Sequence, residues 1–584
     1  TAAFHSLINN STNPATINPW IRYTAGGGAA WTLGFSGEGD WIANSYMVND
    51  NGAGMLIQLD GPGRLIWTPT GFLGANGIDS PVNINGGTLI LKGSHPRLGN
   101  QTISLNGTFV FDAAGDAETL SGVISGGGSL VVSNGTLTLS GQSSYFGDTV
   151  LAGGELVVGG AENPGVSGPL GAFGTIRFAG GALKYSVNNT YDYSARFSTD
   201  AGQKYTIDTA GQNVSFVDEA GLTSSGGTLT KLGAGTLTLA GPSTYSGATT
   251  VSAGKLVFQG TKSGNGTISV ADNAAVAVFA TGSQVTPSTL TLGTVVGAIL
   301  EFESISSTTV APLAAGTITA AGTVTINVNS GSMSPGNSYP LLSWTSGSAP
   351  AVTLGILNGF IGNLTTNGNS IRLNVTESAY RWTGNNNGSW DTTTANNWQR
   401  DGSPVLFANG GSAVFDDTVT GTTDVTVSGT VLPATVTFNN GNSSYTLATS
   451  VGSGIGGTAT VTKTGNGTVV LNGGGSTYTG ATIINNGTLS VSSLNNGGVA
   501  SDIGSASSSA ANLSLNGGTL QYTGGGATSD RSFTLGLSGG IVDGSGAGNL
   551  HLSATSLGYS GNGPRTLTLS GTAASNSLAA NIVD

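Results

Sequence analysis

The chain has 584 residues, of which 98 are Gly and only 8% are charged, with a net charge of −12 and no cysteine. Disulfides and thiolate metal sites are therefore excluded. The lack of a basic cluster argues against nucleic acid, and no run of 18 apolar residues exists to cross a membrane as a helix. Hydrophobic residues make up 38%, too many for a disordered chain of such low charge. Cysteine-free composition is compatible with an exported bacterial protein. The chain opens at Thr1 without Met or a charged-then-apolar leader, which reads as a removed signal or as a piece of a longer chain.

Residues 1–75 hold Trp20, Trp31, Trp41 and Trp67. This aromatic-rich stretch reads as an N-terminal cap-like or docking segment, since the open end of a stacked array needs cover. Residues 76–285 alternate in short runs, such as Val82-Asn83-Ile84 and Thr108-Phe109-Val110-Phe111, separated by Asn-Gly pairs. Strict alternation bounded by Gly, Asn, Ser and Pro is the strand signal, and no segment carries a helical period. Triplets such as Asn106-Gly107-Thr108 read as a turn and a strand opening, not as glycosylation sites. Residues 286–379 have longer runs and wider loops and read as an irregular β module closing the first array. Residues 380–424 form a boundary segment with Trp382, Trp390 and Trp398 amid Asn. The regular pattern returns over 425–584.

One unit recurs. Gly233-Ala-Gly-Thr-Leu-Thr-Leu-Ala-Gly241 leads to Tyr245, Gly247, the run Thr249–Val251, Gly254 and Leu256. Thr136–Gly141 with Tyr145, Gly147, Thr149 and Leu156 repeats it, as do Val461–Leu471 with Tyr478, Gly480, Ile483 and Leu489. A partial copy lies at Arg565–Gly571. Repetition of short strand-turn units predicts a stacked array. Leu, Val and Ile would face inward, Thr and Ser outward. At roughly 20 to 29 residues per coil there would be about 20–29 coils. Ion pairs would add little, so weak sensitivity to salt and acid is expected.

This unit resembles the autotransporter-associated β-strand repeat of bacterial autotransporter-like surface proteins. Its marks are Gly-x-Gly-Thr-Leu-x-Leu-x-Gly, then Tyr-x-Gly, then Gly-x-Leu. Gly233–Leu256 carries all of them; Gly465–Leu489 differs at Val469, and Ser133–Leu156 has Ser133 for the first Gly and Phe146 inside Tyr-Phe-Gly. The firm match covers about 75 residues. The resemblance implies a secreted, all-β chain folded as a right-handed parallel β-helix. No closing run of amphipathic ten-residue strands, the family's C-terminal membrane barrel, is visible.

Sites are sparse. His5, His95 and His551 lie far apart, and no Ser stands in a nucleophile elbow. Carboxylate clusters suited to polysaccharide chemistry on a β-helix are limited to Asp112 with Asp116 and Glu118, and to Asp416-Asp417, with Asp192 a lone third. Each reads as a solvated turn, so no catalytic, cofactor-binding or metal-binding residue is assigned. The candidate contacts for a partner or surface glycan are Trp20, Trp31, Trp41, Trp390 and Trp398. The expected function is a non-enzymatic extracellular structural or adhesive surface protein, a rod or fibre subunit. The final residues, Leu578–Val583, resemble the opening of a further repeat, so either end-to-end self-association through residues 1–75 or a longer protein in which the next coil follows is expected. The alternatives are a polysaccharide-acting β-helix enzyme and a carbohydrate-binding surface protein.

Overall fold

In an alternating run every second side chain shares a face, so Thr236–Leu239 can bury its leucines only if another layer covers that face. The computed structural model describes residues 3–18, 21–23, 31–44, 47–49, 55–68, 81–93, 99–217, 222–280, 284–329, 331–357, 359–560 and 565–582. Among these residues the chain is all-β, without an α-helix, and winds into about 22 stacked parallel coils. It is a β-solenoid. Two compact units are present: residues 1–270 with 283–291, and residues 271–282 with 292–584.

In the first unit, Ala3–Ile8, Trp31–Ser36, Met55–Leu59, Val82–Ile84, Ile103–Leu105 and Ile124–Ser125 pair in parallel, each with the next. A second ladder joins Ala15–Ile17, Trp41–Ala43, Arg64–Trp67, Thr88–Lys92 and Thr108–Leu120. A coil closes roughly every 20 to 30 residues, as the repeat spacing predicts. Register carries apolar residues onto apolar residues. Leu237 lies between Val214 and Leu256, and Leu239 between Phe216 and Phe258. Both leucines are buried and Thr238 is half-exposed.

The described strands of residues 1–75 are coils of the solenoid itself, in register with those that follow. Phe35, Trp41 and Trp67 stand at inward positions and fill the core.

In the second unit, Ala275–Phe279, Ile299–Glu303, Thr323–Val328 and Ala351–Leu357 pair in parallel. The parallel order breaks where the sequence texture shifts. Ser370–Ser378 runs antiparallel to both Ser338–Ser346 and Phe360–Thr366, and Trp398–Arg400 runs antiparallel to Tyr380–Trp382 and Ser403–Val405. Tyr380–Trp382 also pairs in parallel with Ser412–Asp416, and from there the regular ladder resumes through Thr435–Asn439, Thr460–Lys463, Thr482–Ile484 and Leu513–Leu515.

The corner after the Gly-Thr-Leu run is built alike in all three copies. The Tyr turns inward and its hydroxyl meets the Thr four residues on: Tyr145–Thr149 at 2.7 Å, Tyr245–Thr249 at 2.7 Å and Tyr478–Thr482 at 2.8 Å. All six side chains are buried. Thr149, Thr249 and Thr482 thus face the core, against the outward placement expected of threonine, because a buried phenol needs a partner. The Gly of Tyr-x-Gly allows a close approach. A Cβ at Gly147 or Gly480 would stand 2.2 Å from a carbonyl oxygen of the preceding coil, and one at Gly247 2.5 Å.

Two predictions test this arrangement. Leu239→Asp buries an unpaired charge and should lower stability by several kcal/mol, whereas Thr238→Asp should cost under about 0.5 kcal/mol; equal losses in thermal melts would mean the facing is wrong. Tyr245→Phe strands the Thr249 hydroxyl and should cost about 1–3 kcal/mol, most of it recovered by adding Thr249→Val, because removing both partners leaves nothing unpaired. A double variant no better than the single one would contradict the pairing.

Candidate functional site

Acidic side chains were the residue types most suited to chemistry, and the structure gives them other partners. Asp416 is buried, paired with Arg381, and accepts the Thr418 amide at 3.0 Å and hydroxyl at 2.6 Å. Its neighbour Asp417 points to the next coil and accepts the amides of Gly441, Asn442 and Ser443 at 2.7–3.0 Å. Partial burial opposes its ionisation, but these donors hold it below the usual carboxylate range. Asp192 bridges coils in the same way, accepting the Ser194 amide at 2.8 Å and the Val217 amide at 2.6 Å. Asp112, Asp116 and Glu118 lie along an irregular stretch of Thr108–Leu120, with Lys92 at 3.8 Å from Asp112. Asp272, which sequence reading passed over, accepts the amides of Thr294, Val295, Val296 and Gly297 and the Thr294 hydroxyl. Those bonds hold it far below its ordinary value. Carboxylates here fasten one turn to the next. Among the described residues no three His, Cys, Asp or Glu side chains gather as metal ligands.

The two described histidines lie on separate strands, Ala3–Ile8 and Gly548–Leu552. His5 is exposed on Ala3–Ile8 and His551 lies 2.8 Å from the Ser577 hydroxyl. His95 lies outside the described residues.

The candidate aromatic contacts separate by burial. Trp20 lies outside the described residues, and Trp31 is described only as a backbone position pairing with Met55. Trp41 is 9% exposed and packs edge-on against Phe35 at 5.7 Å. Trp390 and Trp398 are fully buried. They form one aromatic cluster with Trp382, Phe407 and Phe415, with ring centroids 5.1–5.6 Å apart. A glycan cannot reach these two rings without opening the core, so their place is structural. The asparagines between them are equally structural. Buried Asn397 accepts the amides of Asn386 and Asn387 and donates to the Asn387 side chain and the Ser389 carbonyl.

Three lysines inside the coils also escaped sequence reading. Lys231, Lys262 and Lys463 are buried. The Lys231 ammonium donates to the carbonyls of Leu232, Gly233 and Ala253 at 2.7–3.2 Å. Lys463 donates to the Gly465 carbonyl, and Lys262 to those of Tyr245 and Gly264 while lying 4.1 Å over the Tyr245 ring. Lys231 and Lys463 occupy the same repeat position, where the first copy has Val132. Alternation with Leu229 and Val461 signals their inward facing, although composition alone would place a lysine outside.

Coils in parallel register with three equivalent Tyr–Thr corners define a repeat protein of the β-solenoid class. The passenger-associated-transport-repeat family model matches residues 132–158, 229–258 and 461–491, which contain those corners or the strands around them. A relative described as Adhesin BmaC autotransporter, from Brucella suis biovar 1 (strain 1330), is 30% identical over a 517-residue alignment covering 75% of this chain. The chain spans 15% of that relative's length. No solved structure matches. The chain carries passenger-associated-transport repeats and is similar to an autotransporter passenger.

The buried bases and phenols set a pH profile. Burial lowers Lys231, Lys262 and Lys463 from 10.5 to about 8. Between these values the unfolded chain binds more protons, so unfolding free energy rises with pH across that window. Burial pushes the Tyr145 phenol up to about 12 and raises Tyr245 and Tyr478 as well. Their contribution is present below pH 10 and lost above it. Asp391, whose burial is outweighed by bonds from Thr394, Thr393 and Ser389, lies at about 2, so its stabilisation disappears as pH falls from 3.8 towards that value. The melting temperature should rise from pH 7 to near 10 and fall beyond it, and Lys463→Met should flatten the rise; a steady fall between pH 7 and 10 would contradict the buried lysines.

Proposed function

We propose that this chain is the adhesive, surface-displayed portion of an autotransporter passenger and acts without catalysis. The observation that carries this reading is its alignment with a relative named as an adhesin, over three quarters of this chain. The physical character of the molecule agrees with it. Continuous backbone pairing between coils builds a firm support, and Asp192, Asp272 and Asp417 bind turn amides instead of standing as paired carboxylates free for hydrolysis. Secretion to the bacterial surface follows from the same reading. End-to-end association of copies is a finer proposal, open to light scattering of the full chain: a mass that rises with concentration supports it, and a constant monomer mass removes it.

The test of adhesion is direct. Latex beads coated with the full chain should adhere to cultured mammalian epithelial monolayers about tenfold more than albumin-coated beads, and the heat-unfolded chain should lose that excess. Equal adhesion of the two bead types would remove the adhesive reading.

A further inference from the structure

Each unit carries one loop of a second repeat, lying beyond the residues that the family model matches. Residues 163–174 read NPGVSGPLGAFG and residues 496–507 read NGGVASDIGSAS. They share Asn-x-Gly-Val, three variable residues, then Leu or Ile and Gly. Their backbones agree. The Val amide donates to the Asn carbonyl at 3.1 Å in both, and the later Gly amide donates to the residue three before it at 3.2 and 3.1 Å. The next amide docks on the corner tyrosine of the preceding coil: Ala172 on the Tyr145 carbonyl at 3.1 Å, Ser505 on that of Tyr478 at 2.8 Å. Gly171 and Gly504 take φ of 70° and 73° against those tyrosines.

An arginine from the following coil clamps each loop. Arg196 donates to the carbonyls of Leu170, Gly171, Phe173 and Gly174. Arg531 donates to those of Asn495, Asn496, Val499 and Gly504. Leu170 and Ile503 are buried and anchor the loops, whereas Val166 is 60% and Val499 50% exposed. The chain therefore holds a valine in water, twice, on a rigid support. In the first unit Phe146 and Phe173, on neighbouring coils, are exposed as well.

The charges and polar groups around the tips are engaged within the protein. Glu162 accepts from the Tyr193 hydroxyl at 2.6 Å, Ser167 donates to Gln142, and Gln142 to the Ala161 carbonyl. Buried Asp502 accepts the amides of Gly474, Ser492 and Ser493, while Ser501 and Ser505 donate to backbone carbonyls. A glycan needs outward donors and acceptors; these loops turn theirs inward. Solenoid insertions commonly form the binding face. From the twin geometry, the uncharged tips and the exposed valines, we infer that loops 163–174 and 496–507 are contact loops for a protein partner presenting an uncharged apolar patch. This inference rests on the adhesive reading.

The experiment uses the same coated beads. The double variant V166D/V499D should keep the wild-type melting temperature, since both sites are exposed, and lose about tenfold or more of its adhesion, as truncation of a central contact does. Val451→Asp, at a valine 99% exposed outside either loop, should adhere as wild type. Protease treatment of the monolayer should abolish adhesion and enzymatic removal of its glycans should not. Wild-type adhesion by V166D/V499D overturns the loops as the contact while the adhesive reading stands. Loss on glycan removal alone overturns the protein partner. Wild-type beads that do not adhere remove both readings.

Discussion

The backbone of a solenoid coil has its partners in the coils on either side, so everything in this chain depends on keeping parallel strands in register from coil to coil. A slip of one residue would turn the Leu237–Leu239 face outward and leave Thr236 and Thr238 inside. The corners must therefore bring the chain round by the same amount each time. The buried Tyr–Thr bond does this at three corners by tying a tyrosine within the turn to the first residue of the next strand. The glycine between them lets the corner lie directly on the carbonyl of the coil before it. A strand sequence in which Tyr, Gly and Thr recur at fixed offsets is the chemical record of that constraint.

Scarce charge follows from the same geometry. Where a turn leaves amides without strand partners, an aspartate gathers them, as Asp272 and Asp417 do. Where a corner turns carbonyls inward, a lysine meets them, as Lys231 does. Both devices place formal charge against backbone dipoles and keep it from the apolar core. The outer strand faces carry Thr and Ser beside half-exposed Ile and Val such as Ile66, Val131 and Ile483. Two arginine-clamped loops with apolar tips interrupt the repeat, and binding in a repeat protein is expected where the repeat is interrupted.

Alternation made the strands and their facing legible, and the recurrence of Gly-Thr-Leu with Tyr-x-Gly made the stacking legible. Period 2 tells which residues share a face but not what that face must contain. Thr249 and Lys231 were hidden for that reason: one faces inward for a phenol, the other for carbonyl oxygens, and neither partner is visible in the neighbouring letters. Trp390 and Trp398, in a stretch that reads as a boundary segment, were candidate contacts for a partner or glycan. Their burial comes from a change of strand direction around Tyr380–Trp382, which no local pattern announces. Loops 163–174 and 496–507 escaped sequence reading. Their signal was the paired Asn-x-Gly-Val, together with an arginine one coil later whose reach only the fold reveals.

The claim that corner bonds hold register locally is tested most directly by hydrogen–deuterium exchange of the intact chain, wild type against Tyr478→Phe. Stability in a stacked array is a sum of each coil and its neighbours. The account predicts slow exchange in peptides covering 145–151, 245–251 and 478–484 of the wild type. In the variant, exchange should quicken in 478–484 and in the coils next to it, with 145–151 unchanged. Fast exchange at all three wild-type corners, or equal acceleration at 145–151 and 478–484 in the variant, would contradict it.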